Sequence, residues 1–349
     1  MGYYTNALTE SKRIQGMHIM RMTKELRAEV FRLKQSGIGY KRIADMTNLN
    51  LSTVKSACKR SGLFADNPEH TAMFEIPEKQ YSTALIVPKP LPVQRRITGD
   101  RQTDAYLWVL EVINTGVPGH IAAAEEALHK LTISPKDARD NYTRYLEANG
   151  AGWTASFSTM MMGDPQHYID RARTQYSRAA EVRGTFGSYE AALEPTRAEQ
   201  LMEMVCGDIY DNDFGWTPEE KKKGCIEGKR VTDVWDLRAQ ASKGFAGVLP
   251  EPHTLSDVVR EFQYWQWLYT VRNAACKEMD PGGYGYDCEG PISDRETYLD
   301  KKLEIIRPRH QREALEVLKW YLQSERHQSF SGSDNDAVYL NLIGVHECV

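Results

Sequence analysis

Apolar residues recur at helical spacing along most of this 349-residue chain, and runs that alternate apolar with polar residues are few. A period near 3.6 places apolar side chains on one face of a helix and a period of 2 on one face of a strand, so the expected fold class is mainly α. Past Gly99 the helical pattern covers about 103–114, 119–131, 135–148, 165–183, 196–206, 232–242, 255–278, 295–305 and 308–326. Several starts carry their own signals. Thr196 with Glu199 has the capping-box pattern, Ser134-Pro135 joins a hydroxyl cap to a first-turn proline, and Thr254 precedes the longest segment. That segment, 255–278, carries Val258, Val259, Phe262, Tyr264, Trp265, Trp267, Leu268, Tyr269 and Val271 on nearly every face. Burial at the centre of a core is expected of it, with a dimerisation helix as the alternative. No fixed repeat is visible, which argues against a solenoid.

At 41% apolar and 26% charged residues, the chain can build a sizeable core, and its length suits two domains or one large domain with an attachment. It contains no uncharged apolar run of about 18 residues and no leader-like stretch near its start, so a cytoplasmic protein without a membrane partner is expected. Cys58, Cys206, Cys225, Cys276, Cys288 and Cys348 are widely spaced and read as free thiols. His346 with Cys348 is the nearest approach to a metal half-site, and a plain tail explains it better; no metal or cofactor is expected. Pro68, Pro77, Pro88, Pro90 and Pro92 mark residues 63–101 as a Pro-rich linker. Within it YSTALIV (81–87) has the composition of one short strand, and Arg95, Arg96 and Arg101 stand near its end. The expected organisation is a basic N-terminal arm (1–21), a head (22–62), the linker (63–101) and a large helical C-terminal body (102–349).

Charge sets the head apart. Residues 1–62 hold twelve Lys/Arg against four Asp/Glu, a net charge of +8, whereas 63–349 hold 32 against 44, a net charge of −12. A basic module on an acidic body is the footprint expected where one part attracts a polyanion. The head also has a pattern. Leu26, Val30 and Leu33 form one stripe after a capping Thr23, with Gly37 past the helix end. A second helix over about Tyr40–Thr47 turns Ile43 and Ala44 inward, and a third over about Ser52–Gly62 turns Val54, Ala57 and Cys58 inward, opened by the hydroxyls of Ser52 and Thr53. Asn48-Leu49-Asn50 makes the turn, where a residue tolerant of the left-handed region is needed at Asn48.

The stretch GIGYKRIADMTNLNLSTVKSACKR resembles a helix-turn-helix, as found in the fourth region of sigma-70 factors, the resolvase C-terminal module and LuxR-type DNA-binding modules. It departs from them at Thr47, where Leu is usual, and at Asn48, where Gly is usual. The resemblance covers about residues 22–62 and implies a head that binds double-stranded DNA through its third helix. Asn50, Ser52, Thr53, Lys55, Ser56, Lys59 and Arg60 would face the major groove, and Lys41 and Arg42 would meet phosphates together with Lys59 and Arg60. Lys12, Arg13 and Arg21 of the arm suit a minor groove, though a tail without structure is the simpler reading.

Catalytic signals are weak. Gly224 to Arg230 falls one residue short of a phosphate loop and lacks the Ser/Thr that holds magnesium. Asp208, Asp211 and Asp213 lack the order of a calcium loop, and Gly282 to Asp287 reads as a turn-rich loop. The function expected is a sequence-specific DNA-binding transcriptional regulator of a prokaryote or mobile element, nucleoid-associated, not an enzyme, whose body forms a homodimer or takes a protein partner. The alternative is an interaction or inhibitor protein whose body is the active part. A metal-dependent nuclease or recombinase on Asp208, Asp211 and Asp213 comes third.

Overall fold

The computed structural model describes residues 22–84, 90–280, 283–287, 290–324, 326 and 332–344. Its secondary structure is helical, with no strand among the described residues. In chain order the helices are α1 (Lys24–Gln35), α2 (Tyr40–Thr47), α3 (Leu51–Ser61), α4 (Pro68–Met73), α5 (Arg101–Ile113), α6 (Pro118–Lys130), α7 (Pro135–Ala148), α8 (Ala155–Ser158), α9 (Pro165–Phe186) and α10 (Tyr189–Leu193). There follow α11 (Arg197–Cys206), α12 (Pro218–Lys223), α13 (Lys229–Ser242), α14 (Leu255–Met279), α15 (Gly290–Ile305), α16 (Gln311–Gln323) and α17 (Gly332–Ile343). None of the described helices is long and apolar enough to cross a membrane. The expected caps form. Thr196 and Glu199 complete a capping box, the Ser134 hydroxyl accepts from Asp137 N–H at 3.1 Å, and Thr254 Oγ1 accepts from Asp257 N–H at 3.1 Å.

Contacts divide the chain into two compact units, and the division differs from the linear order of head, linker and body. The first unit takes residues up to Glu75, Pro195–Trp265 and the chain from Glu289; the second takes Ile76–Glu194 and Gln266–Cys288. The segment 63–101 is not a free connector. Pro68 stands in the first turn of α4, where its missing N–H is no loss, and α4 then buries His70 and Phe74 completely. The Phe74 ring meets Tyr264 and Trp265 of α14 edge-on at 5.4 and 5.8 Å. Residues 81–84 form no strand, and 85–87 lie outside the described residues.

In the second unit, α5, α6, α7 and α9 enclose Tyr106, Val109, Ile113, Ile121, Ala124, Ala138 and Ile169. The chain ahead of α5 is packed against this unit's own helices. Ser82 N–H donates to Ala180 O at 3.0 Å, Arg183 Nε donates to Ser82 O at 3.0 Å, and Trp108 Nε1 donates to Pro92 O at 2.6 Å. Gly184 lets Gln80 run directly over α9, since a methyl group there would collide with the Gln80 carbonyl. Trp153 and Phe157 are exposed, their rings edge-on at 5.5 Å, within a stretch from Ala148 to Gly163 that holds no charged residue.

In the first unit the N-terminal part of α14 is the buried strut expected from its sequence, with Val258, Phe262 and Trp265 inside. It also carries charge inward. Glu261 is wholly buried, and its carboxylate accepts from Arg295 Nε at 2.7 Å and Nη2 at 3.0 Å, from Trp265 Nε1 at 3.3 Å, and pairs with His70 Nε2 at 2.8 Å. Arg295, equally buried, also donates through Nη1 to Gly244 O and through Nη2 to Pro250 O. Helix α17 had no strong signal in the sequence. Asn341 holds it, its amide donating to Leu303 O and Ile306 O while its carbonyl accepts from Arg307.

Burial alone would push the Glu261 carboxyl up, but the His70 and Arg295 hydrogen bonds and the Arg295 charge outweigh it and hold the group below the ordinary range. A carboxylate whose folded pKa is lowered stabilises the fold fully above the unfolded value of about 4.3, and this contribution is lost as pH falls through the lowered native value. Glu261→Gln leaves a buried guanidinium without its counter-charge and is expected to cost roughly 3–5 kcal/mol in urea unfolding. The variant is also expected to lose less stability than the wild type on acidification below about pH 4.3.

Candidate nucleic-acid interface

Helices α1, α2 and α3 close on Val30, Leu33, Ile43, Ala44, Leu49, Val54 and Cys58, with Phe31 and Phe64 edge-on at 6.0 Å beside them. Thr23 Oγ1 accepts from Leu26 N–H at 3.2 Å, opening α1 where the sequence suggests. Asn48 takes the left-handed conformation (φ 50°, ψ 35°) and ends α2, and its N–H donates to Ala44 O. Thr47 occupies the inward position usual for Leu; it is buried, and its hydroxyl donates to Ile43 O at 2.6 Å, so the polar group is satisfied inside α2. Burial pushes the Cys58 thiol and the Tyr40 phenol above their usual values.

This core turns one side of α3 to solvent. Ser52, Lys55, Ser56, Lys59 and Arg60 are exposed, Thr53 is half-buried, and Lys41 and Arg42 are exposed in the first turn of α2. On α1, Arg32 is neutralised by Glu29 through two hydrogen bonds of 2.8 and 2.6 Å. Lys41, Arg42, Lys55, Lys59 and Arg60 make no ion pair among the described residues, so their charge stays available to an outside partner. Arg60 Nε donates to Ser56 O at 3.2 Å, which lays the guanidinium along the helix with its other donors free.

One role changes. The cap of α3 is Asn50 and not the hydroxyls of Ser52 and Thr53: Asn50 Oδ1 accepts from Ser52 N–H at 3.0 Å and from the Ser52 hydroxyl at 2.9 Å. Both lone pairs of that oxygen are thereby used. Asn reads adenine by accepting and donating at once, and Asn50 keeps only its donors for such a contact.

The head is tied to the rest of the first unit just past α3. Gly62 O lies 3.2 Å from His253 Nδ1, Asn67 N–H donates to Asp257 Oδ2 at 3.0 Å, and Asn67 Nδ2 donates to Glu251 O at 2.8 Å. Asp66 accepts from the Thr254 hydroxyl at 2.8 Å and faces Arg309 at 2.9 Å and Arg260 at 3.2 Å. Burial raises the Asp66 carboxyl, but Thr254 and the two guanidinium groups prevail and lower it. Residues separated by about 190 positions meet here, which no local pattern announces.

The other sites considered in the sequence find structural explanations. Lys221 holds the Asp213 carboxylate at 2.8 Å and lowers its pKa, and among the described residues no three His, Cys, Asp or Glu side chains converge to hold a metal ion, Asp208 and Asp211 included. In the Gly224–Arg230 stretch, Gly224 ends α12 in the left-handed region and Arg230 pairs with Glu220 at 2.9 Å. Tyr286 of the 282–287 loop accepts from Arg272 at 2.9 Å, while Gly282 lies outside the described residues. The arm 1–21 with Lys12, Arg13 and Arg21, and the His346–Cys348 pair, also lie outside them.

Compared with known proteins, the chain matches no family model, no curated protein and no solved structure.

Asn48→Val places a β-branched residue in the left-handed region and is expected to lower head stability by about 1–2 kcal/mol, whereas Asn48→Gly should be neutral or stabilising. Urea unfolding of the two variants beside the wild type checks this.

Proposed function

We propose that this protein is a sequence-specific DNA-binding protein acting as a transcriptional regulator, with α3 as the helix that enters the major groove. The observation that carries the reading is the exposed side of α3 and the start of α2, where five cations without acid partners flank short hydroxyl side chains on a helix held rigid from behind. A phosphate backbone is the partner that such a surface suits, since Lys and Arg contribute affinity and Ser, Thr and Lys near the groove contribute selectivity. The anchoring of Gly62, Asp66 and Asn67 fits this role as well, because a head fixed to the N-terminal turn of α14 would present α3 at a set angle. A prokaryotic or mobile-element setting, a nucleoid location and a homodimer on half-sites one helical turn apart belong to the same reading.

A second reading, in which a protein partner is the main business of the second unit and the head only tethers it, is favoured by the exposed Trp153 and Phe157 in their uncharged stretch.

Titration of the full chain with a fluorescent duplex over a salt series tests the first reading. Four phosphate contacts, from Lys41, Arg42, Lys59 and Arg60, predict a slope of log affinity against log salt near −3.6, at about −0.9 per contact. Lys59→Ala should make the slope shallower by about 0.9 and weaken selected and random duplexes alike. Lys55→Ala should weaken a selected duplex several-fold more than a random one. Binding that ignores salt, or no binding, would refute the reading.

A further inference from the structure

Leu51 is the first residue of α3, and it is 36% exposed. On a helical wheel it continues the stripe of Val54 and Cys58, which would assign it to the core. The structure places Leu49 in that end of the core instead, and Leu51 stands outside it. The i, i+4 spacing sets Leu51 on one ridge with Lys55, at the leading turn of the helix. Its polar neighbours are committed in part. Asn50 Oδ1 is saturated by the backbone and hydroxyl of Ser52, and the Ser52 proton is spent on Asn50. The leading turn keeps the Asn50 amide donors and the Thr53 hydroxyl for base edges, and beside them it exposes a branched apolar side chain. On the major-groove edge of a base pair the apolar group is the thymine 5-methyl.

We propose that Leu51 is a specificity-determining residue that packs on a thymine 5-methyl group in the major groove, next to the base contacted by Lys55. This rests on the DNA-binding reading above and adds to it the base at the leading turn, a contact absent from the set of polar residues that the sequence pattern selects. Removing one methyl from such a contact exposes apolar surface on both sides and weakens binding about four-fold.

Duplexes selected by the full chain from a random pool provide the probe. In the best selected duplex, each thymine is replaced in turn by deoxyuridine, which removes the methyl and keeps every hydrogen-bonding group. The wild type is expected to lose about four-fold in affinity at one or two positions and nothing elsewhere. In Leu51→Ala the loss at those positions should vanish, and in Leu51→Met it should persist; helical content by circular dichroism verifies that both variants are folded. The proposal is overturned if no thymine responds in the wild type, a measurement that needs no variant, or if the response survives in Leu51→Ala. Failure of the wild type to select any sequence overturns the DNA-binding reading and this proposal together, and the unmodified duplex, measured first, separates that outcome from the others.

Discussion

The buried carboxylate of Glu261 is the joint on which the first unit depends. It receives Arg295 from α15 and His70 from α4, so three segments separated by 34 and 191 positions meet on two oxygen atoms. Removing a carboxylate and a guanidinium from water costs several kcal/mol each, and only close geometry with all remaining donors satisfied offsets it. Arg295 goes most of the way through two further bonds, to Gly244 O and Pro250 O. A pairing of these helices that separated Glu261 from Arg295 would leave a charge buried and alone, at a cost of several kcal/mol.

From that joint the arrangement propagates towards the head. Helix α4 is drawn in by His70 and Phe74, and the turn before it is held by Asp66 and Asn67 against Thr254, Asp257 and Arg260 on or beside the first turn of α14. The chain between Gly62 and Pro68 is too short and too well bonded to act as a free tether. Two rules meet there. Prolines that would interrupt a helix interior instead open one at Pro68, and Asp257 in the first turn of α14 sits where backbone N–H groups favour negative charge.

The three head helices and their turn were legible in the sequence: Thr23, Asn48 and the stripes of Val30, Leu33, Ile43 and Val54 are local signals, and local hydrogen bonding obeys them. The starts at Thr196 and Ser134 were equally plain. The cap of α3 was not, because Asn50, Ser52 and Thr53 all have the chemistry to cap, and backbone geometry decides among them. Leu51 escaped for a related reason: a periodic pattern cannot tell that Leu49, in the turn, fills the end of the core first. The segment 63–101 has the composition of a connector because prolines are ambiguous between breaking a helix and beginning one.

What the amino-acid sequence determined by itself is the mainly helical class, the positions of most helices and the basic exposed side of α3, since each depends on residues within about two turns of one another. Tertiary structure alone decided the rest: that 76–194 and 266–288 form a unit of their own, that Glu261 meets His70 and Arg295, and that Asn341 holds α17. Such contacts depend on which buried polar groups find one another across long separations. Desolvation makes that pairing compulsory, and spacing along the chain carries no record of it.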